Sequence, residues 1–334
     1  MTVSTLDVDR SISTLRLNSQ EFANLTNEAL SAMFLTSIEN IKTIAYFWAT
    51  IGADNKGIKG STAEGEEWLG GPFASTIALQ YYIDYLKNDI DFIDEKSISE
   101  NKINVFPNKN IEKLLFPYVT ADIHFNKNMS IEDILNARGF GNRLGFKKGI
   151  TLILGAGNVS SIPLLDTIYD MVVNRHCILL KLNPVNEYLK PVFDKVFENF
   201  ISRGFMIVTT GDTEISSYMT NHLGITNMHL TGSDKTYEKI VYGSVLPEKD
   251  KGKKTLTKRN KKPFTTELGN VTPFIIHPGN WSSGEIKYQA RKIVTAKLNN
   301  NGFNCIAAQV IVLPNSCRIE NATPYSAHDP LSII

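Results

Sequence analysis

The segment ITLILGAGNVSSIPLLDTIYDMVVNRHCILLKL, residues 150–182, decides the predicted fold. Its first apolar run, Ile150 to Leu154, ends in Gly155-Ala156-Gly157 and is followed by an amphipathic stretch from Ser161 to Asn174. A second apolar run extends from Cys177 to Leu182. Two short apolar runs separated by a helical stretch of this length predict a parallel βαβ unit with a right-handed crossover.

The same alternation continues along the chain and predicts a doubly wound α/β fold with a parallel sheet. The further predicted elements, helices and strands in turn, are Tyr188–Arg203, Phe205–Thr209, Thr213–His222, Asn227–Leu230 and Ser233–Tyr242. In this class of fold, ligands bind in the crevice at the carboxyl ends of the strands. Functional side chains are therefore expected just after the strands.

A basic segment, Lys249 to Lys262, interrupts the alternation with eight lysine or arginine residues and one acid. We interpret it as a solvated loop; a polyanion-binding patch is the alternative, although no aromatic side chains are interleaved. Beyond it, Pro273–His277 and Ala307–Leu313 are predicted strands that flank a predicted helix, Ser282–Asn300. A second α/β unit therefore begins near residue 271, and we expect it to be incomplete because the chain stops about sixty residues later.

The composition describes a soluble globular protein whose length allows two domains, or one large domain and part of another. The 334 residues are 42% apolar and 21% charged, and the net charge of +1 argues against a nucleic-acid partner. No stretch approaches the roughly eighteen apolar residues of a membrane span, and Met1–Ser19 lacks the apolar core of a secretory signal. Cys177, Cys305 and Cys317 predict reduced thiols in a cytoplasmic protein, and the scattered histidines predict no metal site.

Cys305 is the candidate nucleophile. It ends the run Asn301-Gly302-Phe303-Asn304-Cys305, between a predicted helix and a predicted strand, and Glu267 lies 38 positions upstream as a candidate base. A thiol attacks as the thiolate, so a buried junction rimmed by Asn and Gly is a suitable place to hold one. The alternative is a structural buried cysteine without chemistry.

The turn Gly155-Ala156-Gly157-Asn158-Val159-Ser160 is similar to a dinucleotide-binding fingerprint, but Ser160 replaces the third glycine, so the signal is weak. Asn158 has a second interpretation, since its side-chain amide is able to donate to a developing oxyanion about 3 Å away. The alternative for Asn158 is a residue that shapes the turn or caps the following helix.

Two further strand ends carry candidate ligand-binding residues. Lys181 lies at the end of the apolar strand, where a side chain points toward the ligand crevice; the alternative is an edge lysine whose ammonium reaches solvent. Thr231-Gly232-Ser233 follows the strand Asn227–Leu230 and opens a helix. Ser233 is expected to cap that helix, and the helix N-terminus is a site for a phosphate group.

Taken in order, these residues resemble the aldehyde dehydrogenase superfamily. The motifs that carry the resemblance, spread over about residues 149–314, are Asn158, Lys181, Thr231-Gly232-Ser233, Glu267-Leu268-Gly269 and Cys305. The resemblance implies a Rossmann-like fold of the aldehyde dehydrogenase type in three parts. These are a mostly helical region at 1–148, a nucleotide-binding α/β domain at 149–270, and the start of a catalytic domain at 271–334 that is incomplete and truncated.

The resemblance also implies a role for each candidate catalytic residue. Cys305 is the nucleophile, which forms a thiohemiacetal and then a thioester with an aldehyde. Asn158 and the Cys305 backbone N–H form the oxyanion hole. Glu267 activates the water that releases the acid.

The cofactor implied by the resemblance is NAD or NADP. Lys181 is expected at its adenosine ribose, Ser233 at its pyrophosphate and Gly232 beside its nicotinamide, and Leu268 is also assigned to the cofactor site. Pro184 stands where NAD-preferring relatives often place a glutamate for the ribose 2′-hydroxyl. The choice between NAD and NADP therefore stays open.

The chain also departs from the family pattern. Asn270 replaces a second glycine, a later Glu-x-Phe-Gly-Pro segment has no counterpart, and the last stretch, Asn315–Ile334, is polar and aperiodic. Three functions stay open: oxidation of a small-molecule aldehyde, an acyl-CoA reductase whose thioester exchanges with coenzyme A, and a catalytically inactive nucleotide-binding remnant. A homo-oligomer is expected only if a longer chain exists.

Overall fold

The structure is a computed structural model of the chain. It describes residues 3–87, 98–99, 102–107, 110–126, 129–130, 133, 146–251 and 256–313. Cys317, the polar stretch Asn315–Ile334 and residues 252–255 of the basic segment therefore lie outside the described residues.

The amino-terminal part of the structure is helical. Its helices are α1 (Thr5–Ala23), α2 (Asn27–Asn55), α3 (Glu64–Trp68) and α4 (Ala74–Leu86), with a π-helical turn at Leu69–Phe73 between the last two. A capping box begins α1: the Ser4 hydroxyl accepts from the Asp7 N–H, and the Asp7 carboxylate accepts from the Ser4 N–H. This reciprocal bonding satisfies N–H groups that the first turn of a helix otherwise leaves without partners.

Helix α1 connects the amino-terminal region to the α/β region. Its buried face follows helical spacing and consists of Val8, Ile12, Leu15, Ser19, Phe22 and Ala23. The Phe22 ring lies 5.1 Å from the Phe205 ring, measured between centroids. The amphipathic pattern of α1 therefore buries the amino-terminal residues in the same core as the sheet.

Three short antiparallel strands lie within the region predicted to be mostly helical. They are β1 (Ile98–Ser99), β2 (Lys102–Phe106) and β3 (Ala121–His124), and helix α5 (Asn110–Leu115) lies between the last two in sequence. All four residues of β3 are exposed, and only one residue of β2 is fully buried. Strands with so little buried apolar surface leave no clear pattern in the sequence.

The predicted doubly wound α/β fold is confirmed. The parallel strands are β4 (Ile150–Leu154), β5 (Cys177–Lys181), β6 (Met206–Thr209), β7 (Asn227–Gly232) and β8 (Phe264–Leu268). The helices between them are α6 (Ile162–Val173), α7 (Lys190–Val196), α8 (Glu198–Ser202), α9 (Thr213–Asn221) and α10 (Asp234–Tyr242). The strand order is β6-β5-β4-β7-β8, so the direction of winding reverses between β4 and β7.

Strands β4 and β5 lie at the centre of the core. Every residue of both strands is buried, which is why both appear as continuous apolar runs in the sequence. The amino-terminal helices pack over the helices of the α/β region: Trp48 of α2 is fully buried, with its ring 5.7 Å from that of Phe193 in α7. The amino-terminal region and the sheet therefore share one hydrophobic core.

The prediction of a single helix at Tyr188–Arg203 is wrong. The chain instead forms a 3₁₀ turn at Pro184–Leu189 and the two short helices α7 and α8, which are separated at Phe197 (φ −101°, ψ 19°). Phe197 is fully buried and packs edge-on against Phe200, with ring centroids 5.9 Å apart. Tertiary packing of these rings overrides the helical preference of the segment.

Strand β8 was missing from the predicted elements. Its side chains alternate between half-buried and exposed, and the exposed positions are Thr265 and Glu267. It lies at the edge of the sheet and pairs with β7. An edge strand with polar residues on one face has no continuous apolar run, and the preceding basic segment gives no further signal.

Two lysines of the basic segment, Lys251 and Lys262, contact protein groups. The Lys262 ammonium donates to the carbonyl oxygens of Thr220 and His222, each over 2.7 Å. Lys251 Nζ lies 3.0 Å from an Asp234 carboxylate oxygen and 3.2 Å from a Glu248 carboxylate oxygen. These contacts stabilise the segment against the α/β region, and they leave the polyanion-binding alternative without support from these two lysines.

A second α/β unit follows, as predicted. It consists of β9 (Pro273–Ile275), α11 (Ser283–Leu298), a 3₁₀ turn (Asn299–Gly302) and β10 (Val310–Val312), and its two strands pair in parallel. Both strands are shorter than predicted: β9 ends at Ile275, although the Ile276 N–H still donates to the Val312 carbonyl oxygen over 2.9 Å, and β10 begins only at Val310. No residue of α11 or β10 is buried. The boundaries proposed between the domains stay predictions.

Among the described residues, every helix is too short or too polar to cross a membrane. The same part of the chain contains no group of three or more His, Cys, Asp or Glu side chains arranged to hold a metal ion.

Candidate active site

The predicted cofactor residues lie at the edge of the central sheet that is formed by the carboxyl-terminal ends of its strands. The register pairs Leu154, the last residue of β4, with Lys181, the last residue of β5. It also pairs Gly232, the last residue of β7, with Leu268, the last residue of β8. Because the winding reverses between β4 and β7, this edge is the switch point at which doubly wound sheets bind ligands.

Two glycines bring the loop after β4 close to the loop after β5. The Gly155 N–H donates over 3.0 Å to the carbonyl oxygen at the end of β5. A Cβ at Gly157 would lie 2.9 Å from side-chain atoms of both Asn183 and Val185, too close for any other residue without a shift. Ser160, at the third fingerprint position, is buried. The glycines therefore serve close packing of two strand-end loops.

Asn158 contacts the segment that carries Cys305. Its Nδ2 donates to the Phe303 carbonyl oxygen over 2.9 Å, and its own carbonyl oxygen accepts from Asn300 Nδ2 over 2.9 Å. Asn158 is not the residue that begins the following helix, since Ser161 directly precedes α6. A side-chain amide has two N–H donors, so one stays available for a reacting oxygen. The oxyanion role itself stays a prediction.

Asn300 connects the same junction to the amino-terminal helices. Its backbone is left-handed (φ 53°), a conformation that asparagine adopts more readily than most residues. Its N–H donates to Glu66 Oε2 over 2.6 Å, and its Oδ1 accepts from Lys56 Nζ over 2.8 Å. No sequence pattern singles out Asn300, because none of these partners is near it in the chain.

Cys305 is exposed, which corrects the prediction of a buried junction. It lies in the turn before β10, with its Sγ 3.8 Å from Asn304 Oδ1. The turn is exposed because, within the described residues, β9 and β10 form a sheet of two strands with little buried surface. Cys177 is buried in β5, and burial raises the pKa of its thiol to about 12. Accessibility therefore favours Cys305 as the reactive thiol.

Glu267 is the penultimate residue of β8, and its side chain is exposed. Its partner across the sheet is Thr231 of β7, beside Gly232. The Glu267 carboxylate makes no hydrogen bond or ion pair with any described residue, including Asn158 and Cys305. The pairing of this base with the thiol therefore stays a prediction.

Lys181 is almost fully buried, with 5% of its surface exposed. Burial lowers the pKa of its ammonium, and the carboxylates of Glu187 and Asp212 oppose that shift. Its Nζ donates no hydrogen bond to any described residue. Strand β5 lies between β4 and β6 in the sheet, so Lys181 is not an edge lysine.

Ser233 caps α10, as predicted. Its Oγ accepts from the Lys235 N–H over 3.1 Å. Gly232 and Ser233 are both exposed at the carboxyl-terminal end of β7. A Cβ at Gly232 would lie 3.2 Å from Leu230 Cδ1. The N-terminus of α10 therefore lies at the ligand edge, where its N–H groups favour an anion.

A polar cluster beside these strand ends was also missed. Thr231 Oγ1 donates to Asp166 Oδ2 over 2.9 Å, and the His229 ring nitrogens lie 2.8 Å from Thr265 Oγ1 and 3.2 Å from Thr231 Oγ1. The one signal in the sequence is the two-residue spacing of His229 and Thr231, which places both on the same face of β7. The cluster ties α6 to the strands that carry Gly232 and Glu267.

Comparison with known families identifies part of the chain. Residues 177–323 match the model of the aldehyde dehydrogenase family. Over this segment the chain is similar to the aldehyde dehydrogenase family. The aldehyde dehydrogenase segment contains Lys181, Gly232, Glu267 and Cys305, whereas Asn158 lies before it.

Solved structures share the aldehyde dehydrogenase fold of this chain. Glyceraldehyde-3-phosphate dehydrogenase from Methanocaldococcus jannaschii, complexed with NADP, has a TM-score of 0.63 at 15% identity, over 95% of this chain and 57% of that chain. A mutant of aldehyde dehydrogenase C from Pseudomonas syringae, complexed with NAD+ and octanal, has a TM-score of 0.62 at 14% identity, over 94% of this chain and 52% of that chain. The chain thus spans about half the length of these aldehyde dehydrogenases.

A curated relative is the D-glyceraldehyde dehydrogenase (NADP(+)) of Picrophilus torridus. It is 29% identical to this chain over 110 residues, which are 33% of this chain and 19% of that protein. The similarity is therefore confined to a limited part of both sequences.

Proposed function

We propose that this chain oxidises an aldehyde to an acid with NAD or NADP, through a thioester on Cys305. The observation that carries the proposal is the hydrogen bond from the Asn158 amide to the Phe303 carbonyl oxygen, two residues before Cys305. It joins a loop at the ligand edge of the sheet to the turn that holds the thiol. The D-glyceraldehyde dehydrogenase relative and the octanal complex support an aldehyde as substrate.

The edge of the sheet fits a dinucleotide cofactor. Lys181 offers an ammonium without a hydrogen-bond partner among the described residues, and Ser233 caps a helix whose N-terminus suits a pyrophosphate. Solved relatives complexed with NADP and with NAD+ support either cofactor. When bound, NAD or NADP supplies the acceptor for the two electrons of aldehyde oxidation.

The Cys305 thiolate adds to the carbonyl carbon of the aldehyde, which forms a C–S bond and leaves negative charge on the oxygen. One N–H of the Asn158 amide is fixed by the Phe303 carbonyl oxygen. The second N–H, together with the Cys305 backbone N–H, stabilises the oxyanion. A donor held in place before the reaction loses little energy to reorganisation, and removal of one such donor typically costs about 10²–10³ in kcat.

Glu267 accepts a proton from the water that attacks the thioester carbon, which releases the acid and restores the thiol. Its carboxylate is exposed and unpaired among the described residues, so water has access to it. Exchange of the thioester with coenzyme A requires no such base, because a thiol is the attacking group. Glu267 therefore favours hydrolysis.

A turnover assay with matched cysteine variants tests the proposal. The chain is mixed with an aldehyde and NAD or NADP, and the reduced cofactor is followed by its absorbance. Cys305→Ala should abolish the signal, whereas Cys177→Ala, which changes a buried thiol in the core, should retain it in the folded fraction. Turnover that survives Cys305→Ala contradicts the proposal. Cofactor binding without any turnover by the wild-type chain favours the inactive nucleotide-binding alternative.

A further inference from the structure

The polar cluster beside the strand ends lies next to the proposed base, Glu267. The register pairs His229 of β7 with Thr265 of β8, and two positions further along it pairs Thr231 with Glu267. Paired residues of neighbouring strands share a face, as do residues two positions apart, so these four side chains lie on one face of the sheet. Helix α6 contributes Asp166, whose side chain is 9% exposed, to the same group. The Thr231 and Thr265 hydroxyl groups therefore lie on the same face as the Glu267 carboxylate.

The hydrogen bonds of this cluster have one direction when the His229 ring is neutral. A carboxylate only accepts hydrogen bonds, so the single proton of the Thr231 hydroxyl lies toward Asp166 Oδ2, 2.9 Å away. Thr231 Oγ1 then accepts from His229 Nε2, 3.2 Å away, and this nitrogen is also 3.5 Å from Asp166 Oδ1. The other ring nitrogen, Nδ1, is left as an acceptor, and the Thr265 hydroxyl donates to it over 2.8 Å.

Both hydroxyl protons of this cluster are thus directed away from Glu267. The Glu267 carboxylate is exposed and makes no hydrogen bond or ion pair with any described residue. A hydroxyl that donated to this carboxylate would stabilise its ionised form and weaken it as a base. The hydroxyl would also compete with the water that the base must hold. Asp166 prevents this at Thr231, the residue paired with Glu267 across the sheet.

We propose that Asp166 is a positioning residue for the general base. It binds the proton of the Thr231 hydroxyl and thereby leaves the Glu267 carboxylate free for the attacking water. The inference rests on the proposed function, because it assigns a determinant of base strength to the same site. The cluster itself transfers no proton: the water gives its proton to Glu267, its oxygen bonds to the thioester carbon, and the Cys305 sulfur leaves as the thiolate.

Two other titratable side chains of this face lie toward the amino-terminal ends of the strands. Asp170 follows Asp166 by one turn of α6, and burial raises the pKa of its carboxyl, against the opposing effect of hydrogen bonds and of the nearby histidines. Burial lowers the pKa of His176, whose Nδ1 lies 3.0 Å from Oγ1 of Thr151, the second residue of β4. Glu267 lies near the carboxyl-terminal end of β8, so the hydroxyl of Thr231 is closer to it than these two groups are.

A titration of the Glu267 carboxyl carbon, followed by NMR on the full chain, tests the inference without turnover; Glu267→Gln assigns the signal. Asp166→Leu releases the Thr231 hydroxyl, which should then donate to Glu267. Asp166→Asn removes the same charge but keeps an acceptor oxygen for Thr231. The midpoint of the titration should therefore be about one pH unit lower in Asp166→Leu than in Asp166→Asn. Asp166→Leu combined with Thr231→Val has no hydroxyl to donate and should return to the Asp166→Asn midpoint.

The fate of the Cys305 thioester measures the consequence for the reaction. Release of the acid by water should be about tenfold slower in Asp166→Leu than in Asp166→Asn or in the double variant. Release by added coenzyme A needs no base and should be equal in all three. A loss of folded protein would slow both routes together, so the ratio of the two rates reports on the base alone.

Equal midpoints for Asp166→Leu and Asp166→Asn overturn the inference, as does slow acid release that Thr231→Val fails to restore in the double variant. A wild-type chain that forms no thioester on Cys305 contradicts the proposed function instead. The role of Asp166 toward Glu267 is then still decided by the midpoints, which are measured without substrate. A lower midpoint in Asp166→Leu, restored by Thr231→Val together with acid release, supports the inference.

Discussion

The Asn158 side-chain amide donates over 2.9 Å to the Phe303 carbonyl oxygen, 145 positions later in the chain. Through this bond, the loop that ends β4 contacts the turn that carries Cys305. Phe303 is itself 73% exposed, so little apolar burial supports the contact. The relative position of the amide and the thiol therefore depends on a few polar bonds.

Replacing Asn300 with glycine should weaken this junction. Asn300→Gly keeps a residue that tolerates the left-handed backbone (φ 53°) but removes the bonds to Asn158 and Lys56. We expect kcat/KM for aldehyde oxidation to fall about tenfold to a hundredfold, because small displacements of catalytic groups are costly. The measurement is the rate of reduced-cofactor formation.

The matched control for this variant is Asn301→Gly. Asn301 has nearly the same backbone conformation (φ 52°) and makes no side-chain hydrogen bond to any described residue. It should retain the wild-type rate. Equal rates for Asn300→Gly and Asn301→Gly would show that the contacts of Asn300 do not position the site.

Replacing Glu267 separates hydrolysis from exchange with coenzyme A. Glu267→Gln keeps the size of the side chain and removes the base, so acid release should fall by about 10²–10⁴-fold and the thioester on Cys305 should accumulate. Mass spectrometry of the intact chain measures the thioester, and added coenzyme A should still release it. Glu214→Gln, at an exposed acid of α9, is the control. Unchanged acid release in Glu267→Gln rules out the hydrolytic role.

The central sheet was predictable because burial imposes a pattern on its sequence. Strands β4 and β5 are buried on both faces and therefore consist of apolar residues that end at a glycine turn and at Lys181. Edge strand β8 was not predictable in the same way, since Thr265 and Glu267 face solvent. The prediction of one continuous helix through Phe197 was wrong for the opposite reason. The sequence of this segment suits a helix, and the packing of buried rings interrupts it.

The polar contacts of Asn300 with Glu66 and Asn158 at the candidate site could not be predicted from the sequence. The hydrogen bond between the Asn300 N–H and Glu66 joins residues 234 positions apart, and no periodicity relates them. The exposure of Cys305 was also missed, because the sequence does not determine which surface covers a turn. Asn158, Lys181 and Ser233 each lie at or just after the end of a predicted strand. The parallel register places those strand ends side by side.

Removing the charge of Lys56 should destabilise the fold. Lys56 Nζ lies 2.6 Å from a carboxylate oxygen of Glu67, whose side chain is only 4% exposed. Lys56→Met leaves that carboxylate buried without its partner, which should lower the free energy of unfolding by about 3–5 kcal/mol. Chemical denaturation followed by tryptophan fluorescence measures the change.

Two further variants control for the loss of a lysine. Lys59→Met breaks an exposed pair with Asp54, 3.6 Å apart, and should change the free energy of unfolding by about 0.5 kcal/mol or less. The double variant Lys56→Met with Glu67→Gln removes both buried charges and should be more stable than Lys56→Met alone. A double variant no more stable than the single one contradicts the assignment of the loss to an unpaired carboxylate.

The buried thiol of Cys177 should make stability depend on alkaline pH. Burial raises its pKa to about 12, above the ordinary thiol value of about 8.5, so the folded state retains a proton that the unfolded state releases. The resulting stabilisation is complete below about pH 8.5 and decreases as the pH rises toward 12. Between pH 8 and 10, the unfolding free energy of the wild-type chain should fall by about 2 kcal/mol more than that of Cys177→Ala. Parallel pH curves for the two proteins would contradict this.

The most direct test of a cofactor-dependent nucleophile at residue 305 is the alkylation rate of each cysteine, resolved by peptide mass spectrometry. Exposure alone makes Cys305 react faster than the buried Cys177, so the effect of the cofactor decides. We predict that NAD or NADP changes the rate at Cys305, leaves Cys177 slow, and loses this effect at the same concentration in Lys181→Met. A Cys305 rate that saturating cofactor leaves unchanged, or that is as slow as the rate at Cys177, would contradict the assignment of Cys305 as the nucleophile of a dinucleotide-dependent enzyme.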